Sequence, residues 1–147
     1  KDAWRGTTSR DNTLARWAAD LQNDFRARLD WCVKPRGGAN HRPHAVLNGR
    51  NGWEVLRLEA KPGSVVELDA HGSSDSDGDT ITHEWFVYGE AGTHRGEVTL
   101  DAADGPTTRF IAPEVQRAET IHILLRLRDD GDPPLCAYRR AVVTIRP

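Results

Sequence analysis

Methionine is absent from the 147 residues, cysteine occurs only twice, and no apolar run nears the roughly 18 residues that a membrane-crossing helix needs. A helical membrane span is therefore excluded. Neither sign of charge dominates: 20 Lys and Arg against 22 Asp and Glu leave a formal charge of −2, without the basic stripe that nucleic acid selects. Hydrophobic residues reach only 37% and charged residues 29%, which predicts a thin core under a large wet surface. No serine or cysteine stands beside a histidine in a nucleophile-like context, and no glycine-rich phosphate loop occurs. His41 and His44 could grip a metal, but they have no third ligand nearby. A catalytic constellation is thus not expected in this chain. Opening at Lys1 with no methionine anywhere, the sequence reads as a segment of something longer, so the lack of a leader carries no weight.

What is present falls into two parts. Leu14, Trp17, Ala18, Leu21, Phe25 and Leu29 recur at helical spacing, with Arg16, Asp20, Asp24 and Arg28 on other faces, and predict one helix over 12–31. Asp11, Asn12 and Thr13 offer N-cap side chains. A Pro-Gly-Asn stretch from Lys34 to Pro43 then breaks the pattern and serves as a linker. Trp4 lies in a leading segment with no expected structure.

From residue 42 onward the period is two. Strands are expected near 44–47, 55–59, 64–69, 81–88, 97–100, 107–111, 120–128 and 138–146, divided by turns such as Asn48-Gly49, Pro62-Gly63 and Asp104-Gly105-Pro106. About seven or eight short strands with this punctuation indicate an all-β, immunoglobulin-like antiparallel β-sandwich over 42–147, preceded by the helix. Parity sends Val66, Leu68 and Ala70 inward, then Ile81, His83, Trp85 and Val87, then Ile121, Ile123, Leu125 and Leu127, and finally Ala141, Val143 and Ile145. Trp85 is then the central core aromatic. In such a sandwich the first and last strands run side by side, so Cys32 and Cys136 could meet as a disulfide or stay as ordinary thiols.

Asp75, Asp77 and Asp79 alternate around one tight turn, with Gly78 supplying a permissive backbone. Hard oxygen ligands gathered this way suit Ca²⁺, and Asn48, Asp129 and Asp130 at neighbouring strand ends could complete the set. The alternative is a metal-free turn whose carboxylates accept backbone N–H bonds.

The faces turned away from the core carry Phe86, Tyr88, Leu124, Tyr138 and Val142 beside Arg126 and Arg140. A mixed patch of this kind expects a cover, either the helix stripe of Trp17, Leu21 and Phe25 or a glycan stacked on the rings. Trp53, in the loop Asn51-Gly52-Trp53-Glu54, is the best single exposed aromatic. For carbohydrate the candidate residues are Trp53, Phe86, Tyr88 and Tyr138, with polar support from Arg126 and Arg140.

Several stretches together resemble one bacterial family: the run from Asn23 to Val33, Ala39-Asn40-His41-Arg42-Pro43, the aspartate turn, Trp85 to Thr93, Ile121 to Leu125 with Arg128 to Gly131, and Tyr138 to Val143. These are secreted cellulose-binding proteins with an N-terminal nucleoside-hydrolase-like domain, and the chain is similar to their C-terminal domain. More distantly, Leu68 to Asp75 with Asp77-Gly78-Asp79 and Trp85 is similar to PKD-type immunoglobulin-like modules. The resemblance implies a secreted or periplasmic bacterial protein and a non-catalytic polysaccharide-binding or accessory role. It also implies that residues 1–41 end a preceding hydrolase-like domain, with which the sandwich would pack. It assigns no sugar-binding residue and no disulfide.

Overall fold

The computed structural model describes residues 2–147, with side chains from Arg5 onward. A short hairpin comes first: β1 (Asp2–Trp4) pairs antiparallel with β2 (Thr7–Ser9), turning at Arg5 and Gly6, both at positive φ. The Trp4 backbone thus lies in a strand where no structure was expected, and its side chain is outside the described residues. The expected helix is broken in two, α1 (Asn12–Ala15) and α2 (Ala18–Val33), with Trp17 at the joint. Asp11 flanks α1 without a side-chain cap bond, and the Asn12 carboxamide donates to the Thr7 carbonyl at 2.9 Å. A 3₁₀ turn (Arg36–Gly38) follows.

The rest is a β-sandwich. One sheet has the order β3 (Leu56–Ala60), β8 (Cys136–Ile145), β7 (Glu119–Arg128), β5 (Thr82–Val87). Its β3–β8 pair is parallel, as expected of early and late strands in this architecture, and the other pairs are antiparallel. The facing sheet is the antiparallel pair β4 (Val65–Asp69) and β6 (Thr107–Ile111).

Between the sheets lie Leu56, Val66, Leu68, Trp85, Phe110, Ile123, Leu125 and Val143, all buried. Each large side chain removed from water contributes about 2–3 kcal/mol. Parity placed Val66, Leu68, Trp85, Ile123, Leu125 and Val143 correctly, while it assigned no facing to Leu56 and Phe110; Trp85 satisfies its polar atom by donating Nε1–H to the Gly105 carbonyl at 2.8 Å. That bond matters because a buried indole N–H left without an acceptor is costly.

Two expected strands are absent. Residues 44–47 make only the isolated bridges His44 to Ser74 and Leu47 to Arg50, because Asn48 and Gly49 at positive φ turn the chain back at once. Residues 97–100 send Val98 and Leu100 toward the core, yet no strand forms there, and the Asp101 N–H to Arg109 carbonyl bond that follows is isolated.

α2 packs on the sandwich by a different face from the one its hydrophobicity suggests. Ala27 is fully buried. Asn23 donates to the Pro134 carbonyl at 3.0 Å, and Trp31 donates Nε1–H to the Asn40 carbonyl at 2.7 Å. The Asp20 carboxylate accepts from the Tyr138 hydroxyl and, at 3.3 Å, from Arg126. Leu21, Phe25 and Leu29 remain 58%, 64% and 54% exposed, so of the expected apolar stripe only Trp17 is used as a cover. The two thiols are free rather than bridged, and burial pushes that of Cys136 up to about 12.

Candidate functional site

Arg139 builds the most distinctive surface of the molecule. It lies on the inward parity of β8, only 4% exposed, with no carboxylate beside it. Its guanidinium instead donates to the carbonyls of Ala45 (3.1 Å), Arg50 (2.7 Å) and Glu54 (3.4 Å). Burial lowers its pKa from the ordinary guanidinium value. These bonds tie down the loop that carries Trp53, which is 74% exposed. The Arg42 guanidinium lies 4.4 Å from the centroid of the Trp53 ring. A cation on one face fixes the ring and leaves the rest of it in water.

Beside Trp53 runs a groove of about 440 Å³, lined by Trp31, His41, Arg42, His44 and Tyr138 among others. Trp31 stacks parallel to His41 with centroids 5.6 Å apart. His41 is held from below by Asp77, whose carboxylate takes the His41 N–H at 2.6 Å and the ring at 3.1 Å. Partial burial opposes ionisation of Asp77, but these bonds win and its pKa lies below the usual carboxylate value.

The other candidate rings are placed differently from an open platform. Trp17 sits on Phe86, Tyr88 and Tyr138 at centroid distances of 6.1, 6.3 and 5.4 Å, so the chain's own helical segment covers this patch. Arg126 is held between Asp20 and Glu84, with 2.6 Å to the Glu84 carboxylate, and is committed to fastening α2. A second groove of about 480 Å³ remains beside the cover, lined by Tyr88, Tyr138, Arg140, Arg42 and Trp17. The structure therefore brings Trp53 and Tyr138 to one groove and Tyr88, Tyr138 and Arg140 to the next, while Phe86 and Arg126 line neither. Sequence reading missed Arg139, Arg42 and Trp31. The inward parity of Ala141 and Val143, extended by one more step, would have flagged Arg139.

At one end of the sandwich the aspartate turn forms as expected: one ligand atom each from Asp75, Asp77 and Asp79 fall within 4.8 Å of one another. Asp75 Oδ1 accepts the N–H groups of Asp77 (2.7 Å) and Asp79 (3.4 Å), and Asp130 Oδ1 accepts that of Thr80 (2.8 Å). Partial burial raises the pKa of Asp79, as do the charges of Asp75, Asp129, Asp130 and Asp77. Asp129 is raised as well, mainly by burial, although N–H donors from Leu135, Asn40 and Gly131 pull the other way. Asn48 is engaged elsewhere, with its Oδ1 accepting the Asp69 N–H at 2.8 Å.

Comparison with known proteins now bears on this geometry. Residues 65–145 match the family model described as cellulose-binding protein Sde0182, C-terminal domain. Among solved structures, a nucleoside hydrolase-related hypothetical protein from Saccharophagus degradans, described as associated with carbohydrate metabolism, is 42% identical with a TM-score of 0.86. The match covers 89% of this chain and 32% of that one, so the chain spans about a third of that relative's length. The PKD domain from KIAA 1837 protein is 18% identical, with a TM-score of 0.43, over 63% of this chain and 81% of that one. Human CDH23 EC21-23 is 14% identical, with a TM-score of 0.44, over 71% and 35%. No curated protein matches. With more than half of its length matched by one family model, the chain belongs to the family of the C-terminal domain of cellulose-binding protein Sde0182.

Proposed function

We propose that this sandwich is a non-catalytic polysaccharide-binding module, and that cellulose or a related plant polymer lies along the Trp53 groove. One observation carries the reading: a tryptophan that is 74% exposed on a loop tied down by a buried arginine, with one face backed by Arg42. An exposed indole on a mobile loop would lose its freedom on binding, whereas this one is already held. The apolar C–H face of a pyranose stacks on such a ring, and Arg42, His41 and His44 supply donors for its hydroxyls along the groove. Family membership supports a polymer ligand, and a domain that meets an insoluble plant polymer works outside the cytoplasm, so export belongs to the proposal.

Retention on insoluble cellulose and other plant polysaccharides tests it. Trp53→Ala is expected to lower the association constant about tenfold, or ~1.4 kcal/mol, with an unchanged urea midpoint. Retention of Trp53→Ala equal to wild type, or no retention of wild type on any polymer, overturns the proposal.

A second reading rests on α2. Leu21, Phe25 and Leu29 are each more than half exposed, an apolar face that fits a partner surface. In this reading residues 1–41 complete a preceding nucleoside-hydrolase-related domain of the same protein, and the sandwich stabilises or orients it. The two roles use different residues and are compatible.

A further inference from the structure

We propose that Asp75, Asp79 and Asp129, with the carboxamide oxygen of Asn40, hold a calcium ion that fastens the segment before the sandwich to its end loops. The observation behind this is separate from the crowding of acids. Asp129 is 3% exposed and Asn40 8% exposed, and each has an oxygen with no donor among the described residues: Asp129 Oδ2 and Asn40 Oδ1. Asp75 Oδ2 is buried and unpartnered in the same way. Three acceptor oxygens that have given up water without gaining a proton donor are costly unless a cation meets them.

Their neighbours place them together. Asp129 Oδ1 accepts from Asn40 (3.0 Å), from the Gly131 N–H (3.1 Å) and from the Leu135 N–H (2.8 Å), which leaves Oδ2 to face the charges of Asp75 and Asp79. The Gly131 backbone is so closely approached that a Cβ there would run into the nitrogen side of the Asn40 carboxamide and lie 2.5 Å from Asp79 Oδ2. Asn40 and Asp79 therefore converge on one point beside Asp129. Among the described residues, none of Asp75, Asp79, Asp129 and Asp130 forms a salt bridge with Lys, Arg or His, so no side-chain cation neutralises the group.

The donor set is all oxygen and comes from three separate loops, with three carboxylates. That suits calcium, which accepts irregular oxygen shells, better than magnesium, which demands near-octahedral geometry and keeps its waters. The structure also narrows the ligands expected from sequence. Asn48 is spent on the Asp69 N–H; Asp77 turns both oxygens to the His41 ring, although one of its ligand atoms stays within 4.8 Å of those of Asp75 and Asp79; one oxygen of Asp130 accepts the Thr80 N–H; and Asn40, reached only through the fold, enters. Because the Asn40 carbonyl holds Trp31 of α2, a cation here would tie the helix to the sandwich.

The test is calorimetric titration of chelator-stripped protein with CaCl₂, alongside thermal unfolding with calcium or magnesium. Wild type is expected to bind one equivalent of calcium and to gain roughly 5–10 °C in Tm at about 100-fold excess over Kd. Asp129→Asn keeps the acceptor for its three N–H donors and removes only the free oxygen. It should fold and lose the calcium response, and Asp79→Asn should do the same. Absence of saturable binding in wild type, an undiminished response in either variant, or an equal response to magnesium overturns the assignment.

Discussion

Arg139 shows how one buried side chain organises a surface around it. Its planar guanidinium satisfies three carbonyls spread over ten residues of loop, and no lysine could reproduce that fork. Arg139→Met keeps the buried stem and removes the donors. It should cost on the order of 2–3 kcal/mol in urea unfolding, since charged hydrogen bonds are lost at a buried site. Cellulose retention measured on the folded fraction should fall as well, although Trp53 is intact. Retention at the wild-type level would show that the Trp53 loop holds its shape without Arg139. Sequence reading singled out the neighbouring Arg140 because that residue points outward. Strand parity would have marked Arg139 as inward, but nothing local announces that its partners are backbone carbonyls far along the chain. Trp85 was legible for the opposite reason, because its environment is set by apolar neighbours two residues away on its own strand.

At the level of elements, period two identified six strands of the sandwich, because each has one face on the core. It overreached at 44–47 and 97–100, where alternating residues touch the core but backbone pairing is cut short by a turn or absent. α2 misled in a different way. Its periodicity was visible, yet the face that packs on the sandwich is Asp20, Asn23 and Ala27, polar and small residues that hydrophobicity cannot pick out, with Trp31 below them bonded to the Asn40 carbonyl. A direct check follows. Phe25→Ser and Leu29→Ser should each alter the stability of this chain by less than about 0.5 kcal/mol, as surface changes do. Ala27→Leu should cost about 1–3 kcal/mol by overpacking. Urea midpoints in the reverse order would mean that the apolar stripe is the packed face. On the proposal that residues 1–41 complete a preceding domain, the same two serine variants would weaken its attachment to α2.

For the molecule as a whole, two histidines set the response to mild acid. Burial holds the pKa of His83 below the ordinary 6.5, helped by the charge of His71. Burial does the same at His122, with Arg140 and Arg57 adding to it. In the unfolded chain both protonate near 6.5, while in the folded protein they resist until lower pH. Between those values the unfolded state binds more protons, so stability falls as pH drops below 6.5. Asp79 and Asp129, with raised values, act in the opposite sense, so the check is a difference between proteins. Tm of wild type minus Tm of the His83→Gln, His122→Gln double variant should decline from pH 7.5 to pH 5.5, and a flat or rising difference would refute it.

The order of strands carries a consequence for how the protein is made. β8 is the latest strand in the chain, yet it lies between β3 and β7 and pairs with both. Until residue 145 has left the ribosome, β3 has no neighbour in its sheet and β7 has only β5. Both would present open edges of the kind that recruit other chains. The sandwich therefore closes late, and a chaperone that meets the chain before β8 emerges receives an unfinished sheet.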